Sequence, residues 1–116
     1  MQNTITLNDK QIFTDFDWLH EHGETAFKEV NTTAYLAKRL DEMGIPYEQF
    51  ENMTGLIATL GSGSPVIGMR TDIDALRQTY QGKEGVFHSC GHDAHMAIVL
   101  AVAQYYVDNP ADLTGR

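Results

Sequence analysis

Basic residues are scarce in this chain: eight Lys and Arg stand against sixteen Asp and Glu, for a formal net charge of −8. Phosphate recognition depends on Lys and Arg neutralising the backbone, so this balance argues against a nucleic-acid partner and equally against an anionic membrane surface. The acidity suits a soluble surface, or in part an excess of carboxylates around bound cations. There is one cysteine, which excludes an internal disulfide. No apolar run approaches the ~18 residues of a membrane span. The start, Met1-Gln2-Asn3-Thr4-Ile5, lacks the basic and apolar regions of a signal peptide, so the expectation is a cytoplasmic protein. Internal repeats and low-complexity linkers are also lacking, and no domain boundary is drawn within residues 1–116.

What is present is ordinary globular material. A hydrophobic content of 42% is too high for a disordered chain. A length of 116 residues fits one small domain or a piece of a larger one. Residues 14–21 read as a helix capped by Thr14, with Phe16, Trp18 and Leu19 as its apolar side and Gly23 beyond its end. His20 and His22 sit where a cationic imidazole suits the helix dipole. A second helix follows Asn31 or Thr32, with Tyr35, Leu36, Leu40 and Met43 at helical spacing. Gly44 stands where a left-handed stop is expected, Ile45 can pack back, and Pro46 forbids continuation.

Three extended pieces come next, at residues 47–51, 55–60 and 66–70, the last two joined by a Gly/Ser turn at residues 61–65. Then come Arg70-Thr71-Asp72-Ile73-Asp74-Ala75-Leu76 and a polar stretch at residues 78–85. A final helix is expected from about Ala94 to Val107, capped by Asp93 and apolar nearly all round, which calls for partners on several sides. The expected fold class is α/β: helices packed on a mixed β-sheet, with the turn at residues 90–93 on a strand-to-helix edge.

The chemistry concentrates in Phe87-His88-Ser89-Cys90-Gly91-His92-Asp93-Ala94-His95-Met96, which holds the only cysteine and three of the five histidines. Thiolate and neutral imidazole are ligands for a borderline-soft divalent metal, and Gly91 lets a Cys-x-His turn bend sharply enough to aim both at one point. Asp93 can orient an imidazole or cap the helix. His88 and His95 stay open between ligand, proton shuttle and packing residue. Asp72 and Asp74 share a face if the chain is extended, and either a site at a strand end or a solvated turn with Arg70 and Arg77 would account for them. A thiolate–imidazolium nucleophile from Cys90 and His92 would need an orienting group and an oxyanion hole, and neither is visible.

Three blocks in order, Leu19-His20-Glu21-His22-Gly23-Glu24-Thr25-Ala26-Phe27-Lys28-Glu29, Arg70-Thr71-Asp72-Ile73-Asp74-Ala75-Leu76 and His88-Ser89-Cys90-Gly91-His92-Asp93-Ala94-His95, carry a family likeness. The chain resembles the N-terminal part of the metal-dependent amidohydrolases of the aminoacylase/carboxypeptidase type. Within them it resembles the branch of hippurate hydrolase, N-acetyl-diaminopimelate deacetylase and the hydrolases of indole-acetyl–amino acid conjugates. The resemblance implies that residues 1–116 are a partial catalytic domain of a di-metal hydrolase acting on amide bonds of N-acyl amino acids or related conjugates. It implies Cys90 and His92 as metal ligands, Asp72 and Asp93 as supporting acids, and two divalent ions drawn from Zn, Mn, Ni or Co. The general-base glutamate, the remaining ligands and the lid domain are implied to lie downstream, so no catalytic residue is expected in this chain. A homodimer of the full-length protein is a further expectation. The family usually has proline at the positions of Gly23 and Arg77, and a longer loop than residues 78–85 provide, which bears on substrate preference. The alternatives are a non-catalytic remnant or binding module and, behind it, a thiol-dependent enzyme.

Overall fold

A computed structural model describes residues 9–116, so the expectation drawn from residues 1–5 lies outside the described residues. The order of elements is α1 (Asp9–Glu21), α2 (Val30–Met43), β1 (Tyr47–Gln49), β2 (Leu56–Ala58), β3 (Leu76–Tyr80), β4 (Lys83–Phe87), α3 (His92–Asp108) and a short 3-10 turn at Pro110–Asp112. The class is α/β, as the sequence predicts. Among the described residues the strands form two separate antiparallel pairs, β1 with β2 and β3 with β4, rather than the one mixed sheet expected, and the parallel component is a bridge between Thr25 and Ala75.

Helix α2 ends as its sequence dictates. Gly44 adopts the left-handed conformation (φ 75°, ψ 26°) that an L side chain resists. Its N–H donates to Asp41 and the N–H of Ile45 donates to Leu40 at 2.9 Å, the paired bonds of a Schellman stop. Ile45, 3% exposed, folds back into the core. The start of α2 differs from the expected Asn31 or Thr32 cap. Glu29 is the N-cap residue and makes no side-chain cap bond. The carboxylate of Glu24 arrives from the preceding loop instead, accepting from the backbone N–H of Asn31 (3.1 Å) and Thr32 (2.6 Å) and from the Thr32 hydroxyl (2.8 Å). An acid on the exposed N–H groups also suits the positive end of the helix dipole.

Two other helix boundaries are corrected. Helix α1 begins at Asp9, and Thr14, expected as its cap, lies inside it and donates its hydroxyl to the carbonyl of Lys10. That back-bonding is the other use a Thr hydroxyl has in a helix. Helix α3 begins at His92, with Gly91 in a left-handed N-cap (φ 82°) and no side-chain cap. Asp93 is thus inside the helix, where one carboxylate oxygen accepts the N–H of Ala94 and the other meets His20.

The extended segments are corrected too. Residues 66–70 form no strand, and the turn at residues 61–65 joins no hairpin. That stretch is bonded instead to the C-terminal residues, with the N–H of Ile67 on the Arg116 carbonyl at 2.8 Å and the N–H of Arg116 on the Pro65 carbonyl at 2.9 Å. Conversely, the polar stretch at residues 78–85 belongs to the β3–β4 hairpin, turned by Gln81 and Gly82, both at positive φ. A two-residue turn of that hand matches the strand twist.

The core is Leu19 of α1, Leu36, Leu40 and Met43 of α2, Ile45, and Met96 and Leu100 of α3. Helix α3 buries Met96, Ala97, Leu100 and Ala101 but leaves Ile98 54% exposed, so its apolar circumference is covered on one side only. Beside Ile98 lies an open hollow lined by Met69, Arg70, Thr71, Asp72, His95 and Val99. Among the described residues no helix is long and apolar enough to cross a membrane.

Candidate metal centre

The three sequence blocks converge around the N-terminus of α3. The parallel bridge between Thr25 and Ala75, with the N–H of Ala75 on the Glu24 carbonyl at 2.6 Å, ties the first block to the second. Gly23 packs so closely that a methyl group there would lie 3.0 Å from the Ala75 side chain and 3.4 Å from the ring of His88.

His92, the first residue of α3, is held by its Nδ1. That nitrogen lies 2.9 Å from the backbone oxygen of Asp74 and 3.0 Å from its Oδ1. Both partners can only accept, so Nδ1 carries a proton, and in the neutral ring the lone pair falls on Nε2, the tautomer a metal-ligating imidazole needs. Nε2 in turn stands 3.9 Å from Oδ2 of Asp72, whose Oδ1 is paired with the guanidinium of Arg70. Asp72 and Asp74 therefore do share a face, toward His92. They do so from the irregular stretch just ahead of the Ala75 bridge and β3 rather than from the C-terminal end of a strand. Arg77 pairs with Glu84 instead, at 3.3 Å.

Cys90 is a free, exposed thiol in the loop between β4 and Gly91. Asp93 is 3% exposed. Its Oδ1 accepts the N–H of Ala94 at 2.8 Å, and its Oδ2 lies 2.6 Å from Nδ1 of His20 on α1. Sequence reasoning placed both His20 and His22 at the end of α1. His22 stays there, its Nδ1 donating to the Trp18 carbonyl at 2.6 Å and its ring stacking on that indole, whereas His20 turns to Asp93. One contributor escaped sequence reasoning, His20, for which no local signal exists; Asp74 was paired with Asp72 by its two-residue spacing, with its role left open.

His88 is buried with neither ring nitrogen bonded among the described residues. Burial pushes its imidazole below the ordinary histidine range, opposed by the Asp93 carboxylate, and favours a neutral packing residue. His95 is exposed on α3, its ring centre 6.0 Å from that of His92.

Thiolate, imidazole and carboxylate are the right donors for a borderline divalent ion, and the tautomer of His92 is fixed for ligation. In number they fall short. Among the described residues no group of three or more His, Cys, Asp or Glu side chains is arranged to hold a metal ion.

Comparison with known proteins gives the arrangement its context. No protein-family model matches the chain. It is 32% identical, over 98% of its length, to the IAA-amino acid hydrolase ILR1-like 5 of Arabidopsis thaliana, and covers 29% of that protein. It is 37% identical over 98% of its length to the N-acetyl-L-cysteine deacetylase of Bacillus subtilis (strain 168), again covering 29% of the relative. A crystal structure of the YXEP protein of Bacillus subtilis, described as a dinuclear metal binding peptidase, superimposes over 91% of this chain and 33% of that one. The TM-score is 0.80 and the identity 34%. The chain therefore spans less than a third of the length of each of these relatives. With sequence and fold agreeing over nearly all of its length, the chain belongs to the M20 family of metal-dependent hydrolases.

Proposed function

We propose that residues 1–116 are the N-terminal portion of the catalytic domain of a metal-dependent amidohydrolase that cleaves the amide bond of N-acyl amino acids or related conjugates. The observation that carries this reading is the fixing of His92 by Asp74, which leaves Nε2 free beside the Asp72 carboxylate. Cys90 and His92 are the ligands the chain contributes. Asp74 and Asp72 orient His92, and Asp93 anchors the helix that carries it. Bound divalent ions, two of them from among Zn, Mn, Ni or Co, would polarise the scissile carbonyl and lower the pKa of water.

No glutamate follows Asp93 in this sequence. The general base and the remaining ligands are assigned to further residues of the whole protein, and this chain alone does not turn over. The free thiol of Cys90 suits the reducing cytoplasm. Nucleic acid and membranes are not partners in this reading, and the whole protein is a homodimer.

The test is a titration of the purified chain with Co²⁺, followed by the thiolate-to-cobalt absorption band. The wild-type chain gives the band, Cys90→Ala abolishes it, and His92→Ala weakens binding. A wild-type chain without the band overturns the reading. The absence of a three-ligand group among the described residues favours a second reading, a non-catalytic piece. The two differ once the frame is extended downstream: chelator-sensitive amidase activity in the longer protein supports the enzyme, and its lack supports the remnant. Activity lost on alkylation but indifferent to chelators would assign a thiol-dependent enzyme.

A further inference from the structure

Helices α1 and α3 pack together through Leu19 and Met96, and one polar side chain of α1 reaches the candidate metal turn. Nδ1 of His20 lies 2.6 Å from Oδ2 of Asp93, across 73 residues of sequence. The carboxylate side chain is only 4% exposed, so water cannot replace this partner readily. Because a carboxylate accepts only, His20 donates, and Oδ1 of Asp93 takes the N–H of Ala94 on its own helix. The His20 ring is itself held: Phe16, one turn earlier on α1, stacks on it with ring centres 5.6 Å apart and planes 18° from parallel.

Nothing local does the same work. The N-cap of α3 is Gly91, which has no side chain to satisfy the first backbone N–H groups. The loop before it carries Ser89 and Cys90, both exposed. The first turn of α3 is thus tied at its second residue, Asp93, to a helix from the other end of the chain. His92 and Cys90 sit immediately upstream of that tie.

We propose that His20 is a positioning residue. Its bond to Asp93 locks the first turn of α3 onto α1 and so sets the direction in which Cys90 and His92 present sulfur and nitrogen to a divalent cation. The metal half of this statement rests on the ligand assignment made under Proposed function, and the positional half does not.

The experiment compares the wild-type chain with His20→Phe and His20→Asn. Phenylalanine keeps a ring on Phe16 but has no donor, and asparagine places an amide nitrogen where Nδ1 stands. In the metal-free chains, amide hydrogen exchange across residues 90–96 rises about tenfold in His20→Phe while exchange in α2 is unchanged, and His20→Asn restores it. In the Co²⁺ titration, affinity falls ~10–100-fold in His20→Phe and recovers in His20→Asn. Unchanged exchange at residues 90–96 in His20→Phe overturns the proposal. So does a rise spread evenly over all three helices, which marks a merely structural role, or a failure of asparagine to rescue. If the wild-type chain shows no cobalt band, the ligand assignment fails and the exchange comparison still decides the role of His20.

Discussion

One carboxylate decides which nitrogen His92 offers. Its Nδ1 is shared between the Oδ1 and the backbone oxygen of Asp74, so removal of the side chain leaves the backbone acceptor in place. Asp74→Ala is expected to lower Co²⁺ affinity about 10-fold, the low end for loss of such an orienting partner, with little change in folding stability. A titration beside a denaturant curve checks both halves. Gly91 sets the approach to the same residue. At φ 82° an L side chain costs roughly 1–2 kcal/mol, and Gly91→Ala should lower the denaturation free energy by that amount. A methyl group there meets the His95 ring no nearer than 3.7 Å, so the cost is conformational rather than steric. At this scale Cys90, His92 and the Asp72/Asp74 face were legible, because ligand chemistry and two-residue alternation are local. The pairing of His20 with Asp93 was not, because nothing within either block records a contact 73 residues away.

Among the elements, α2 was legible at its end and misread at its start for a related reason. The Schellman stop uses Leu40, Asp41, Gly44 and Ile45, all adjacent in sequence, whereas the start is satisfied by Glu24 from a loop. Glu24→Ala strips that acceptor from Asn31 and Thr32 and is expected to cost about 1 kcal/mol, as loss of a helix cap does, read as a lower denaturant midpoint. Strand 66–70 was overread because apolar content marks what a strand needs but not whether a neighbour is there to pair with it. The β3–β4 hairpin was underread because Arg77, Gln78, Thr79 and Glu84 give it no apolar alternation.

The α1–α2 contact carries a buried polar cluster in which Asp15 accepts from Arg39 Nε (3.0 Å), Gln11 (3.1 Å) and the Tyr35 hydroxyl. Burial first, then the bond to Asp15, raises the Tyr35 phenol well above its usual pKa of 10. In the unfolded chain Tyr35 loses its proton near pH 10, while in the fold it keeps it. Its contribution to stability is therefore complete below pH 10 and declines as pH rises beyond. Stability measured between pH 9 and 11 should fall with pH, and Tyr35→Phe should flatten that slope. Some slope should remain from Tyr47 and Tyr105, also raised by bonds to Asp41 and Asp112.

For the molecule as a whole, the sequence showed in α3 more apolar surface than the chain can cover, and the fold bears this out. Ile98 stays 54% exposed, Met69 on the lining of the same open hollow is 65% exposed, and Val66 and Ile67, just before it in sequence, are 62% and 76% exposed. Contiguous apolar surface on a soluble protein marks either a contact to be made or a liability to association. It follows that the isolated chain should bind a fluorescent apolar dye and scatter light increasingly with concentration. Ile67→Lys combined with Ile98→Lys should reduce both. Because neither side chain is in the core cluster, folding stability should change by no more than about 0.5 kcal/mol per site. A double variant that loses stability instead would show that these side chains are packed in solution, and the exposed face would no longer explain the behaviour of the chain.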